Sequence, residues 1–196
     1  MANVASRIRT TAAVVAATAI PLIVVAGLGN QALQGWRNTQ AGSTNHWIAD
    51  LFQPLSLAAW RFSPGSGPNA TAHWAAPLVF NLALVVLTAL LATAAAHNRG
   101  RLALFFGIWG AVTLAGAGAG LICTPFAFSG VPGTIAADNY RETLAEGMLL
   151  GFIIGLIAAL VATAFAGGGT SASRSDSSAE PAATPGYDEK TWPLAG

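Results

Sequence analysis

Four stretches of the chain are almost unbroken runs of apolar residues, and between them the pattern turns polar or rich in Gly and Pro. The runs cover about Thr11–Leu28, Ala75–Ala96, Leu102–Cys123 and Leu144–Ala166. A helix that crosses the hydrocarbon layer needs roughly 20 mostly apolar residues, and each run meets or nearly meets that length. No stretch alternates apolar and polar with period two, as the strands of a membrane β-barrel do. Helices are then the remaining way to satisfy backbone N–H and C=O groups in lipid. The pattern predicts an all-α integral membrane protein, a bundle of four transmembrane helices over residues 1–166. An outer loop, residues 29–74, is expected at the membrane interface, and a disordered cytoplasmic tail over residues 167–196.

The first run has a second reading. Arg7 and Arg9 precede it like the basic region of a signal peptide, and Asn30-Gln31-Ala32 follows it where cleavage would fall. Its 18 apolar residues exceed the usual 7–15 of a signal core, and we read it as a retained anchor. The loop that follows holds four of the six tryptophans: Trp36, Trp47, Trp60 and Trp74. Tryptophan favours the membrane–water boundary, where the ring is apolar and the N–H stays wet. Between Asn45 and Phe62, the residues Trp47, Ile48, Leu51, Phe52 and Leu55 recur at near-helical spacing. That spacing predicts a short helix on the outer face, broken at Pro54. Ser63 to Asn69 is turn-rich. The loop reads as a cap on the helices, or alternatively as a lid over an outer pocket. The tail, rich in Gly, Ser, Ala, Pro and acidic residues, lacks the apolar content to build a core.

Orientation follows from the arginines near the span ends. With the N-terminus inside, the inner side carries Arg7, Arg9, Arg99, Arg101 and Arg174, and the outer side Arg37, Arg61 and Arg141. The turn His97-Asn98-Arg99-Gly100-Arg101 has two arginines in five residues. The expectation is a multi-pass protein of the plasma (inner) membrane with both termini cytoplasmic and a short outer loop over Gly130–Arg141.

Composition agrees and excludes much chemistry. The 196 residues are 54% hydrophobic and 9% charged, against about 25% charged in ordinary soluble domains. A net charge of +1 from nine scattered basic residues makes no nucleic-acid footprint. The single cysteine, Cys123, rules out an internal disulfide and cysteine-rich metal or iron–sulfur sites. The Ala and Gly richness suits a GC-rich bacterial source. HExxH, GxSxG, the phosphate-binding loop and the dinucleotide fingerprint are all missing. His46, His73 and His97 are too dispersed to suggest haem, and no cofactor or metal is expected.

Two features remain. The first is a layer of polar groups in the outer third of the spans: His73, Asn81, Glu142 and Glu146, with Cys123 at the same level. Asn81 lies about 9 Å below its helix entry at the helical rise and needs a partner across helices. Asn81 and Glu146 are therefore expected to share a polar cluster with His73 beside it. The second is glycine. Gly116 and Gly120 form a GxxxG pair in the third span. Every fourth residue of the fourth gives Thr143, Gly147, Gly151, Gly155, Ala159 and Thr163, all small. Such faces allow close helix packing in lipid, with the third span of the same chain as the expected partner and self-association as the alternative. Lacking catalytic motifs, the chain reads as a non-catalytic accessory, assembly or interaction subunit of a membrane complex. Its partners would be membrane lipid and other membrane-protein subunits. A small oligomeric transporter or channel is the second reading.

Overall fold

The structure is a computed structural model that describes residues 2–41, 53–97, 100–130 and 136–167. Among them the chain is all-helical: α1 (Ala2–Leu28), α2 (Gln31–Ala41), a 3-10 turn (Gln53–Ser56), α3 (Ala70–Ala95), α4 (Arg101–Ala127) and α5 (Ala136–Gly167). Four of these helices are long and apolar enough to cross a membrane, over Thr10–Leu28, Ala70–Ala95, Arg101–Ala127 and Ala137–Ala166. In contact order, α1 packs on α3 and α5, α3 on α4, and α4 on α5. The end where α1 and α4 finish and α3 and α5 begin carries the long loop, and is called here the loop end.

The closest contact rows are small or slender: Ala13, Ala17 and Val25 on α1; Ala111, Ala115, Gly116, Ala119 and Gly120 on α4; Gly147, Gly151, Ala158, Ala159 and Ala162 on α5, with Ile108, Val112, Leu150 and Ile154 filling the space beside them. Helix α3 buries one residue per turn: Ala76, Phe80, Leu84, Thr88 and Ala92. The bulk faces outward, with Leu82, Leu90, Leu102, Leu114, Phe152 and Phe165 all exposed. In water such a surface would drive aggregation. In lipid hiding Leu against Leu gains nothing, so small residues go where backbones must approach and large ones meet acyl chains.

The helices differ from the sequence expectation mainly at the loop end. Helix α3 begins at Ala70, five residues before the apolar run. Pro77 is accommodated because the freed backbone groups lie in its first two turns. Helix α4 runs four residues past Cys123 and through Pro125. Helix α5 begins at Ala136, so Asp138 and Arg141, expected in the short loop, lie on its first turns, with Asp138 at the favourable positive end of the helix dipole. At about 1.5 Å per residue α5 is about 48 Å long, more than a hydrocarbon core of roughly 30 Å. The helix expected over Asn45–Phe62 is replaced, within its described part, by the 3-10 turn Gln53–Ser56 and an irregular stretch. Pro54 lacks the N–H that an α-helix would need there. Residues 42–52, with Trp47, and the tail expected from 167 onward, except Gly167, lie outside the described residues.

Candidate functional site

Two places gather the residues that sequence singled out: the seam between α4 and α5, and the loop end.

The seam is a backbone-to-backbone contact. A Cβ on Gly116 would run into the Gly147 carbonyl oxygen, and one on Gly120 into that of Thr143. One on Gly147 would strike Gly116, one on Gly151 would lie 2.6 Å from the Val112 carbonyl oxygen, and one on Gly155 2.9 Å from that of Trp109. Real carbon atoms do not sit this close to backbone, so each glycine is a steric requirement. The pairing 120–143, 116–147, 112–151, 109–155 makes the two helices antiparallel. Polar pins stand at both ends of it. At the loop end Thr124 Oγ1 and Thr143 Oγ1 lie 2.6 Å apart and buried, and each is also within hydrogen-bond distance of a carbonyl of its own helix, Gly120 for Thr124 and Asn139 for Thr143; with one proton each, one hydroxyl donates to the other while its partner donates to its own carbonyl. At the other end Trp109 Nε1–H donates to the Phe152 carbonyl over 3.0 Å, and its ring lies 4.8 Å from that of Phe152. At these glycines the two backbones leave no room between them for a ligand.

The loop end is built differently. Here indole and amide N–H groups tie an irregular segment down onto the helix ends. Trp60 Nε1–H donates to the Val25 carbonyl at 3.1 Å, and the Trp60 backbone N–H to that of Gly29 at 2.9 Å. Trp74 Nε1–H donates to the Arg61 carbonyl at 2.9 Å. Asn81 Nδ2–H reaches the Ala58 carbonyl at 3.2 Å, and Asn69 Nδ2–H that of Ser129 at 3.1 Å. Leu55 and Ala58 are thereby buried. Gly29 is needed where the loop crosses α1, because a Cβ there would strike the carbonyl oxygens of Ala58 and Val25.

Under this segment lies a cavity of about 450 Å³ between α2, the loop, the start of α3 and the end of α4. Its floor includes Ala76 and Cys123, both buried, and the buried Gln34 of α2. Arg61, Ser66 and His73, all exposed, stand at its rim. No carboxylate lines it among the described residues.

The expected polar layer is distributed unevenly over this geometry. His73 and Cys123 line the cavity. Asn81 sits on α3 one turn beyond Pro77, a lining residue. Its amide is spent on the loop backbone at Ala58, and its Oδ1 is buried with no partner among the described residues. Glu146 is half-buried on α5 and Glu142 exposed. The Asn81 partner that the structure provides is thus a loop carbonyl. Gln34 and Arg61 were missed by sequence reasoning. Gln34 belongs to α2, whose eleven residues alternate polar and apolar too weakly to announce a helix, and Arg61 was read only as a topology signal. No group of three or more His, Cys, Asp or Glu among the described residues is placed to hold a metal ion.

No protein-family model, curated protein or solved structure matches the chain.

Proposed function

We propose that the chain is a non-catalytic, multi-pass protein of the plasma (inner) membrane that serves as an accessory, assembly or interaction subunit of a membrane complex. In this reading the four apolar helices form a transmembrane bundle, both termini are cytoplasmic, and the loop end faces outward. Residues 167–196 form a separate cytoplasmic tail. The partners are bilayer lipid and other membrane-protein subunits.

One observation carries the reading. Polar groups with room beside them lie at the loop end, while the space between the helices farther in is filled mainly by apolar side chains, with the buried hydroxyl of Thr88 among them. Phe80, Leu84, Ile108, Val112 and Ile154 are at most 1% exposed there. Such an interior supports a scaffold with a worked outer surface. The glycine faces of α4 and α5 face each other, which leaves the loop end and the outward Leu/Phe surface for partners. The alternative, a small oligomeric transporter, is favoured by the loop-end cavity itself. Against it, solute would have to displace those five side chains or pass between copies, since conduction needs a continuous wet path.

The test is purification of the full chain from native membranes in mild detergent at native level, with mass spectrometry of the chains that accompany it. Reproducible partner subunits are expected. Recovery of this chain alone, together with solute flux in reconstituted liposomes, would replace the subunit reading with the transporter. Orientation is checked with Ser66→Cys and Ser173→Cys in a Cys123→Ala background. A membrane-impermeant thiol reagent on intact cells is expected to label the first and spare the second, and the reverse pattern inverts the topology.

A further inference from the structure

The loop-end cavity has the makeup of a site for an anionic head group. Its volume, about 450 Å³, falls in the range of roughly 300–1,000 Å³ typical of small-ligand sites. The lining is two-natured. Buried Ala76 and Cys123 give it an apolar floor, and exposed Arg61 and His73 give it a basic rim. Arg61 has no ion-pair partner among the described residues, where the Arg141–Asp138 pair is formed elsewhere. A guanidinium beside a cavity, with no carboxylate in the lining among the described residues, is suited to a planar fork of hydrogen bonds to phosphate or carboxylate.

Gln34 supplies the independent indication. It lines the cavity, is only 6% exposed, and its side-chain amide makes no hydrogen bond to a described residue. Its backbone N–H is already used, on the Asn30 carbonyl at 3.2 Å. Its side-chain amide is therefore open to the cavity, where it can donate to an oxygen placed there. The start of α3 adds to the same field. Its N-cap residue, Asn69, is in the left-handed region (φ 58°) and makes no side-chain cap, while its Nδ2–H donates to the Ser129 carbonyl. The N–H groups of Ala70 and His73, the first-turn residues that line the cavity, are already used on the Gly67 and Asn69 carbonyls, so the helix end contributes only the positive end of its dipole there.

We propose that this cavity seats the anionic head group, a phosphate or carboxylate, of a lipid drawn from the surrounding bilayer. Arg61 is the charge partner, Gln34 the amide donor at the floor, and Ala76 and Cys123 the surface for the adjoining carbons. A lipid is favoured over a free anion because the cavity lies at the ends of four lipid-facing helices, where head groups are concentrated, and because half its character is apolar. The proposal rests on the membrane reading of those helices and is independent of whether the chain has protein partners.

The experiment uses the full chain purified in mild detergent and native mass spectrometry. Phosphatidylglycerol and phosphatidylcholine with the same acyl chains are added at equal concentration. The wild type is expected to retain the anionic lipid by about tenfold over the zwitterionic one, the scale of one charge-assisted contact. Arg61→Gln is expected to remove most of that preference, and Gln34→Leu to reduce it. Arg141→Gln, which deletes the same charge at the same end but away from the cavity, is expected to keep it. Arg61 is exposed, so its variant tests binding with the fold intact, and an unchanged elution volume and helical spectrum verify this. A parallel arm adds inorganic phosphate. If it displaces bound phosphatidylglycerol at concentrations as low as the lipid itself needs, the site holds a free anion through the same groups. Equal retention of the two lipids by the wild type, or equal losses in Arg61→Gln and Arg141→Gln, overturns the proposal.

Discussion

The α4–α5 seam and the loop end are both points where the chain meets itself, and they are held by opposite means. The seam has almost no side chains in it. Its cohesion is van der Waals contact between two backbones, possible because Gly116, Gly120, Gly147, Gly151 and Gly155 carry nothing to keep them apart. At the loop end the contact is made by large side chains, Trp60, Trp74, Asn69 and Asn81, each reaching a carbonyl across a gap. A helix has already paired most of its backbone, so the seam is held mainly by shape, with the Trp109–Phe152 and Thr124–Thr143 contacts only at its ends. An irregular segment has carbonyls to spare and must be given donors. The contrast teaches that close packing leaves no room, whereas pinning by long side chains leaves a cavity.

The largest effect expected from breaking this contrast is Gly151→Leu. A side chain there must displace the Val112 carbonyl or separate the helices, at a cost of about 3 kcal/mol or more. For a chain of this size that is a fall in melting temperature of about 6–12 °C in detergent. Ile153→Leu, on the exposed face, is the control and should shift it by less than about 2 °C. Equal effects would mean that the seam is not the main packing contact.

Trp60→Phe comes next. It removes the Nε1–H donor to Val25 and keeps the ring, which sits edge-on to Phe62 at 5.1 Å. The expected cost is about 1 kcal/mol, confined to the loop. Hydrogen exchange should rise over residues 53–62 while α4 and α5 keep their protection. Faster exchange in α4 would show that loop and seam are one cooperative unit.

Thr143→Val is milder. It takes away the 2.6 Å contact with Thr124 at the loop end of the seam, and interhelical hydrogen bonds in membranes average about 0.6 kcal/mol. A double-mutant cycle with Thr124→Val measures the coupling directly, and a coupling near zero would leave the seam to glycine alone. The smallest change expected is Asn81→Leu. The Ala58 carbonyl loses a donor, but a buried oxygen with no described partner, Asn81 Oδ1, is removed as well. The two nearly offset, and thermal stability should move by less than about 1 kcal/mol. A large loss would indicate that Asn81 Oδ1 has a partner, such as an ordered water.

The reach of sequence reasoning follows the same division. A crossing helix must be apolar along its membrane-spanning length, so the spans stand out as runs, and their ends blur where Pro77 and Pro125 fall inside helical turns and where the first and last helices extend into polar residues before the apolar run. The four-residue row through Thr143 and Gly151 is visible because helix geometry turns a spacing into a face. The loop end has no such rule. Its cavity joins Gln34, Arg61, His73 and Cys123, separated by up to 89 positions (123 − 34), and no local pattern links them. Trp60 and Trp74 stood out as interfacial residues, yet their acceptors, Val25 and Arg61, are backbone carbonyls that every residue owns. Which carbonyl a donor finds is a property of the folded path.

The sorting of size between contact rows and outward faces bears on how such a chain can drift over generations. At outward positions such as Leu82, Leu90, Leu114 and Leu160, the solvent asks only for hydrocarbon, and Leu, Ile, Val and Phe are interchangeable there. At Gly116, Gly147 and Gly151 nothing larger than hydrogen fits without moving a backbone. The instructions for the fold are thus concentrated in its smallest residues and a few buried large ones, Phe80, Leu84, Ile108 and Ile154, while its outward bulky residues are free to scramble. Two descendants could share the architecture and differ at most outward positions, and a scan of all substitutions should find tolerance rising with side-chain exposure.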